Sequence, residues 1–190
     1  MKHSTRRWMV AAAILGGGLA LGGVSALSTA GAEAPRAQVI RVHDRDGESV
    51  GAVKLLQKGA KVEVRADLHG LPAGFHGFHV HAVGECVPPF TSAGGHYNPT
   101  GDVHGDHAGD MPVLLVNEDG TAQAQFTTDR FTVRGLVDED GSAIIVHEAP
   151  DNFANTPDRY HSHTEDVFGP DSVTLAVGDA GGRLACGVIG

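Results

Sequence analysis

Basic residues are scarce in this chain. Fourteen Lys and Arg stand against 23 Asp and Glu, a formal charge of -9, and that balance argues against a nucleic-acid backbone as partner. No glycine fingerprint for a nucleotide phosphate is present, and no serine-centred or cysteine-centred catalytic motif appears. Beyond residue 34 no run is long and apolar enough to span a bilayer, and none reads as a long amphipathic helix. The 27 glycines lack a three-residue period, which excludes collagen; their abundance instead implies many tight turns, which suit short strands. An apolar fraction of 41% excludes a wholly disordered chain, and 190 residues fit one domain or at most two. Histidine is the residue in excess, at 12, and imidazole is the commonest metal ligand.

The first 34 residues read as an export segment outside the fold. Lys2, Arg6 and Arg7 precede an apolar stretch from Trp8 to about Leu27, and small residues from Ser28 to Ala34 close it. That is the order of a secretory signal peptide. Cleavage after Ala30, Ala32 or Ala34 fits, and Arg6-Arg7 permits a twin-arginine route. A retained membrane anchor is the alternative, because the stretch is long for a signal core. Residues 35–190 then carry 11 basic and 22 acidic residues, a formal charge of -11, and suffice for one substantial core. Cys86 and Cys186 lie 100 positions apart. In an exported protein such a pair reads as a disulfide; two free thiols or two metal ligands are the alternatives.

From Gln38 onward the pattern is alternating and β-branched. Lys61 to Leu68 is the clearest case, with Val62, Val64, Ala66 and Leu68 on one face and Lys61, Glu63, Arg65 and Asp67 on the other. Further strands are predicted at Gln38–His43, Val50–Leu56, Phe75–His81, Val113–Val116, Thr121–Phe126, Ala143–His147, Ser172–Val177 and Arg183–Ile189. Short strands with Gly-rich turns point to an antiparallel sandwich or barrel. Two segments break the rhythm. Gly84 to Pro112 holds six glycines and four prolines, and Ala149 to Asp171 is polar and irregular. Loops this long inside a compact domain are usually functional or disordered.

His79 and His81 flank Val80 on a predicted strand, so both imidazoles share one face while Phe78 and Val80 take the other. His96, His104, His107 and Asp110 follow within 15 residues on the glycine-rich loop, and His147 ends another strand. Three imidazoles and a carboxylate make a four-coordinate zinc set, and imidazole-rich sites also suit copper. Seven candidate ligands exceed the need of one four-coordinate ion, so two metals are the simpler account.

At this point the sequence resembles a known family. Gly77-Phe78-His79-Val80-His81, Gly94-Gly95-His96-Tyr97-Asn98-Pro99, His107-Ala108-Gly109-Asp110, Val146-His147-Glu148 and the run from Gly181 to Gly190 are similar to the motifs of copper/zinc superoxide dismutases, in family order, over roughly Val39 to Gly190. The export segment and loop lengths look most like a bacterial secreted or periplasmic member. The resemblance implies an eight-stranded antiparallel Greek-key β-barrel or sandwich with two long functional loops. It makes His79, His81, His96 and His147 the copper ligands, and His96, His104, His107 and Asp110 the zinc ligands, with His96 bridging. Cys86 and Cys186 match the family disulfide. Arg183 matches the arginine that attracts the anion beside copper, and Asp151 the carboxylate that joins a copper histidine to a zinc histidine, here His79 and His104. The implied reaction turns two superoxide anions and two protons into oxygen and hydrogen peroxide, with Arg183 and His96 as catalytic residues. Access to copper is expected between the 84–112 and 149–171 segments, and the protein is expected to be a monomer or a homodimer.

Two departures from the common pattern stand out. Only Gly105 and Asp106 separate His104 from His107, so the zinc loop must be tight. The 149–171 segment holds Asp151, Asp158, Glu165, Asp166 and Asp171 against one basic residue, Arg159, so long-range attraction of an anion should be weak. His161 and His163 form a second His-x-His with no counterpart in the family pattern; they read as a solvated loop or as a labile metal spot. His43, His69 and His76 are expected on surface strands or turns. A copper-donating protein on the same scaffold is the main rival; it would tolerate loss of Arg183.

Overall fold

The structure, a computed structural model, describes residues 37–190; the export segment read at 1–34 lies outside them. Among the described residues are eleven strands and one α-helix: β1 (Ala37–Asp44), β2 (Ser49–Lys58), β3 (Lys61–Leu68), β4 (Gly74–His76), β5 (Phe78–His81), β6 (Leu114–Val116), β7 (Ala122–Thr128), β8 (Ser142–His147), β9 (His161–Ser162), β10 (Val167–Phe168), α1 (Ser172–Val177) and β11 (Arg183–Ile189). The main sheet is antiparallel and seven-stranded, in the order β5-β8-β11-β1-β2-β3-β7. Alternation in β3 works as its sequence dictates: Val62, Val64, Ala66 and Leu68 are buried. Glu63, on the outer face, is also shielded, because Lys58 and Arg65 fold over its carboxylate.

The closed eight-stranded barrel is not what forms. The sheet curls but stays partly open, and two further two-stranded sheets, β4-β6 and β9-β10, stand apart. The reason lies in the backbone around β5. The stretch predicted as one strand divides at Gly77, whose N–H donates to Ala149 and whose carbonyl accepts from His147. β4 is thereby turned out to pair with β6. The free edge of β5 is then taken by the ligand loop: Val80 N–H donates to Gly109 O and Tyr97 N–H donates to Val80 O. Those hydrogen bonds occupy the groups a closing strand would use.

The predicted strand at Ser172–Val177 is a second correction, since it is the helix α1. Val173, Leu175 and Val177 do alternate with Ser172, Thr174 and Ala176, but the ends decide the matter. The Asp171 side chain accepts from the N–H groups of Val173 and Thr174, and Gly178 closes the helix in the left-handed region at φ 60°.

Both faces of β8 are buried, and each packs on a different cluster. Ile144 and Val146 join Ile40, Leu55, Phe78, Val80 and Leu114 in the main core. Ala143 and Ile145 join Phe90, Ala93 and Cys186 beneath the loop. Each fully buried Leu, Ile or Phe contributes roughly 1.5–3 kcal/mol. The disulfide between Cys86 and Cys186, with Cα atoms 5.7 Å apart, ties that loop to β11.

Candidate metal centre

The period of two along β5 and β8 builds the first half of the site. Phe78 and Val80 point into the core, so His79 and His81 must point to the opposite face. On β8, paired with β5 so that His79 faces Ile145 and His81 faces Ala143, His147 shares the face of those two residues. Across the next strand Arg183 is the partner of His147. The loop lays His96 over these rings through its bridge to His81. The four buried histidines His79, His81, His96 and His147 thus present ligand atoms within 4.8 Å of one another.

His96, His104, His107 and Asp110 form a second buried group that meets the same limit. Asp110 Oδ1 lies 2.8 Å from His96 Nδ1 and 3.4 Å from Nδ1 of both His104 and His107. Its other oxygen accepts from the Gly105 and His107 amides at 2.8 and 3.1 Å. His96 therefore belongs to both groups by different atoms. Its Nδ1 faces Asp110 and His107, while its buried Nε2 has no hydrogen-bond partner among the described residues.

Hydrogen bonds fix which nitrogen each ring offers. His81 Nδ1 donates to Gly94 O at 2.9 Å and His147 Nδ1 to Gly181 O at 3.3 Å, leaving their Nε2 atoms facing each other at 3.2 Å. Asp151 accepts from His79 Nε2 at 2.6 Å and from His104 Nε2 at 2.7 Å. That leaves the Nδ1 atoms of both rings buried without partners. Buried polar atoms are nearly always satisfied, so three orphaned imidazole nitrogens, on His79, His96 and His104, mark positions for metal. The donor types fit: four imidazoles suit copper, and three imidazoles with a carboxylate suit zinc.

The electrostatics agree. Burial pushes His79 down to about 4, His147 down to about 3 and His81 well below its ordinary value, so all three rings are neutral near pH 7, the form that binds metal. Burial opposes ionisation of Asp110 and Asp151, yet the His104 and His96 rings beside the first, and hydrogen bonds from His104 and His79 to the second, hold both well below the usual carboxylate range. His104, despite burial, is raised to about 9 by Asp110 and Asp151. A metal there must displace a proton.

Arg183 stands at the rim. Its guanidinium donates to Phe90 O and, at 2.6 Å, to Gly94 O, the carbonyl that also accepts from His81. Its backbone is held in turn: Arg45 Nε donates to Arg183 O at 2.8 Å, and Arg45 pairs with Glu148 at 2.6 Å.

Several contributors escape a reading of the sequence. His76 was expected at the surface, but it is buried, with ring nitrogens 2.8 Å from His147 O and from Pro72 O. Its parity with inward-facing Phe78 and Val80 was the available signal. Arg130 donates to Gly105 O at 2.9 Å and His107 O at 3.1 Å, clamping the ligand loop from a distant turn; nothing local marks it. Gly109 has no room for a side chain, because a Cβ would run into Val80 O. His43 and His69 are not buried. His161 and His163 sit on the β9-β10 hairpin, outside both ligand groups.

Fold and site together define a β-scaffold protein with two adjoining groups of buried metal-type ligands that share one histidine. Comparison with known proteins narrows the class. Residues 49–189 match the profile of the copper/zinc superoxide dismutase family. The chain is 40% identical over 159 residues to a "Superoxide dismutase [Cu-Zn]" of Mycolicibacterium paratuberculosis, a match covering 76% of this chain and 70% of that protein. It is 44% identical over 131 residues to that of Mycobacterium bovis, covering 63% of this chain and 55% of the relative's length. The solved Cu/Zn superoxide dismutase from Brucella abortus is 26% identical with a TM-score of 0.61, over 82% of this chain and 100% of that one. The chain belongs to the copper/zinc superoxide dismutase family.

Proposed function

We propose that this protein dismutates superoxide, converting two superoxide anions and two protons to oxygen and hydrogen peroxide. The observation that carries the reading is His96, whose Nε2 and Nδ1 serve two different ligand groups. His79 Nδ1 with the Nε2 atoms of His81, His96 and His147 would hold copper, and the Nδ1 atoms of His96, His104 and His107 with Asp110 Oδ1 would hold zinc. Bound copper supplies the one-electron redox change, which zinc cannot. Everything else is the work of the chain. His96 Nε2 takes a proton when it is not acting as a ligand and hands it to the developing peroxide. Asp151 fixes the tautomers of His79 and His104. Arg183 offers charged N–H donors to a small anion at the rim, and the loop anchored by Cys86 sets the carbonyls that aim it.

The disulfide supports an exported location, since such bonds persist outside reducing compartments; residues 1–34 would then be the export signal and 35–190 the working domain. The test is metal content with superoxide turnover in the parent, His147→Ala and Arg183→Ala. His147→Ala should lose copper. Arg183→Ala should keep copper and turn over more slowly. A copper-loaded but inactive parent would refute the enzyme reading in favour of a copper-donating protein.

A further inference from the structure

The β9-β10 hairpin carries a histidine pair that the two-metal centre does not use. Val167 pairs with Ser162 and Phe168 with His161, and His163 opens the turn that follows β9. The rings of His161 and His163 lie 5.0 Å apart between centroids and nearly perpendicular, at 72°. His161 Nε2 donates to Asp166 Oδ1 at 2.9 Å. This repeats the arrangement at the buried centre, where Asp151 takes the Nε2–H of His79 and His104 and leaves Nδ1 free to ligate. By the same chemistry Asp166 fixes the tautomer of His161 and raises the basicity of its Nδ1.

The support under the pair is built. Phe168 packs on the His161 ring with centroids 4.7 Å apart. Glu165 accepts from the Ser172 amide at 2.9 Å and from its hydroxyl, and Ser162 Oγ donates to Asp171 at 2.6 Å. Both turn and strand are thus tied to the start of α1. The surrounding charge favours a cation: Asp158, Glu165, Asp166 and Asp171 are near in sequence, and the one basic residue, Arg159, is drawn over the Tyr160 ring at 4.9 Å.

We propose that His161 and His163 form a labile surface site for Cu(II), with Asp166 as the outer carboxylate and water completing the coordination. Two imidazoles without a third fixed protein ligand give an exchangeable site, and among divalent ions such donors favour Cu(II). The experiment titrates fully metallated protein with Cu(II) alone, following uptake by equilibrium dialysis and imidazole coupling by electron paramagnetic resonance. The parent should take up one exchangeable Cu(II) beyond its tightly held metals. A His161→Gln/His163→Gln double variant should lose that uptake, and Asp166→Asn should weaken it about tenfold, while superoxide turnover and Tm stay at parental values in both. No exchangeable Cu(II) in the parent, or equal uptake in the double variant, would overturn the proposal. The result is independent of whether the buried centre turns over superoxide.

Discussion

Replacing Asp151 by Asn should separate the two halves of the metal centre. The carboxylate is fully buried and accepts three hydrogen bonds: His79 Nε2 at 2.6 Å on Oδ2, and both His104 Nε2 and the Phe153 amide, each at 2.7 Å, on Oδ1. An amide has one acceptor and one donor end. The Phe153 N–H demands an acceptor, so the amide oxygen takes the Oδ1 position and keeps the His104 bond. The NH2 group is then turned on His79 Nε2, which must give up its proton. That proton moves to His79 Nδ1, the atom proposed to hold copper. Losing one charge-assisted hydrogen bond costs about 1.5–3 kcal/mol, and disruption of such an outer carboxylate costs about 10–100-fold in metal affinity. Asp151→Asn should therefore weaken copper by about 10–100-fold and zinc by less than about threefold, whereas Asp151→Ala should weaken both. Competition against a chromophoric chelator measures each affinity separately. Zinc falling further than copper in Asp151→Asn, or neither changing, would refute the assignment of ring nitrogens.

Gly178→Ala should be as damaging as a ligand change, because a Cβ there overlaps Asp151 Oδ1 and His104 Nε2 and the backbone sits at φ +60°; zinc content after dialysis checks it. Cys86→Ser/Cys186→Ser opens a loop of 100 residues, worth up to about 4.7 kcal/mol on the chain-entropy account, and should lower Tm by about 10 °C in calorimetry. In the metal-free chain, His79 at about 4 and His147 at about 3 lie below the ordinary 6.5, so the unfolded state binds those protons first and stability falls as pH drops below 6.5. His104 at about 9 works in the opposite direction: its contribution is full below 6.5 and is lost as pH rises through 9. Denaturant midpoints should accordingly peak near neutrality. With a formal charge of -11 on residues 35–190, turnover should decline little as salt rises; a steep decline would show long-range steering after all.

The ligand spacings were legible without coordinates because they follow from local geometry. His79 and His81 share a face wherever a strand forms, and Phe78 and Val80 force that face away from the core. The strand at 61–68 appeared at its true bounds because its alternation is strict. α1 is not legible in the sequence because Val173, Leu175 and Val177 alternate as in a strand, and its identity rests on Asp171 and Gly178 at the ends.

By itself the sequence settled the family and the preference for strands and named the candidate ligands, since each is written in adjacent residues or fixed intervals. Tertiary structure alone decided how the sheet ends: at Gly77 the chain spends its backbone hydrogen bonds on Ala149 and His147, and the ligand loop, not another strand, covers β5. It alone gave Asp151 its two histidines, Arg130 its two carbonyls and His76 its burial. Those contacts join residues tens of positions apart, and hydrogen bonding at that range depends on where the folded chain passes, which no periodicity records.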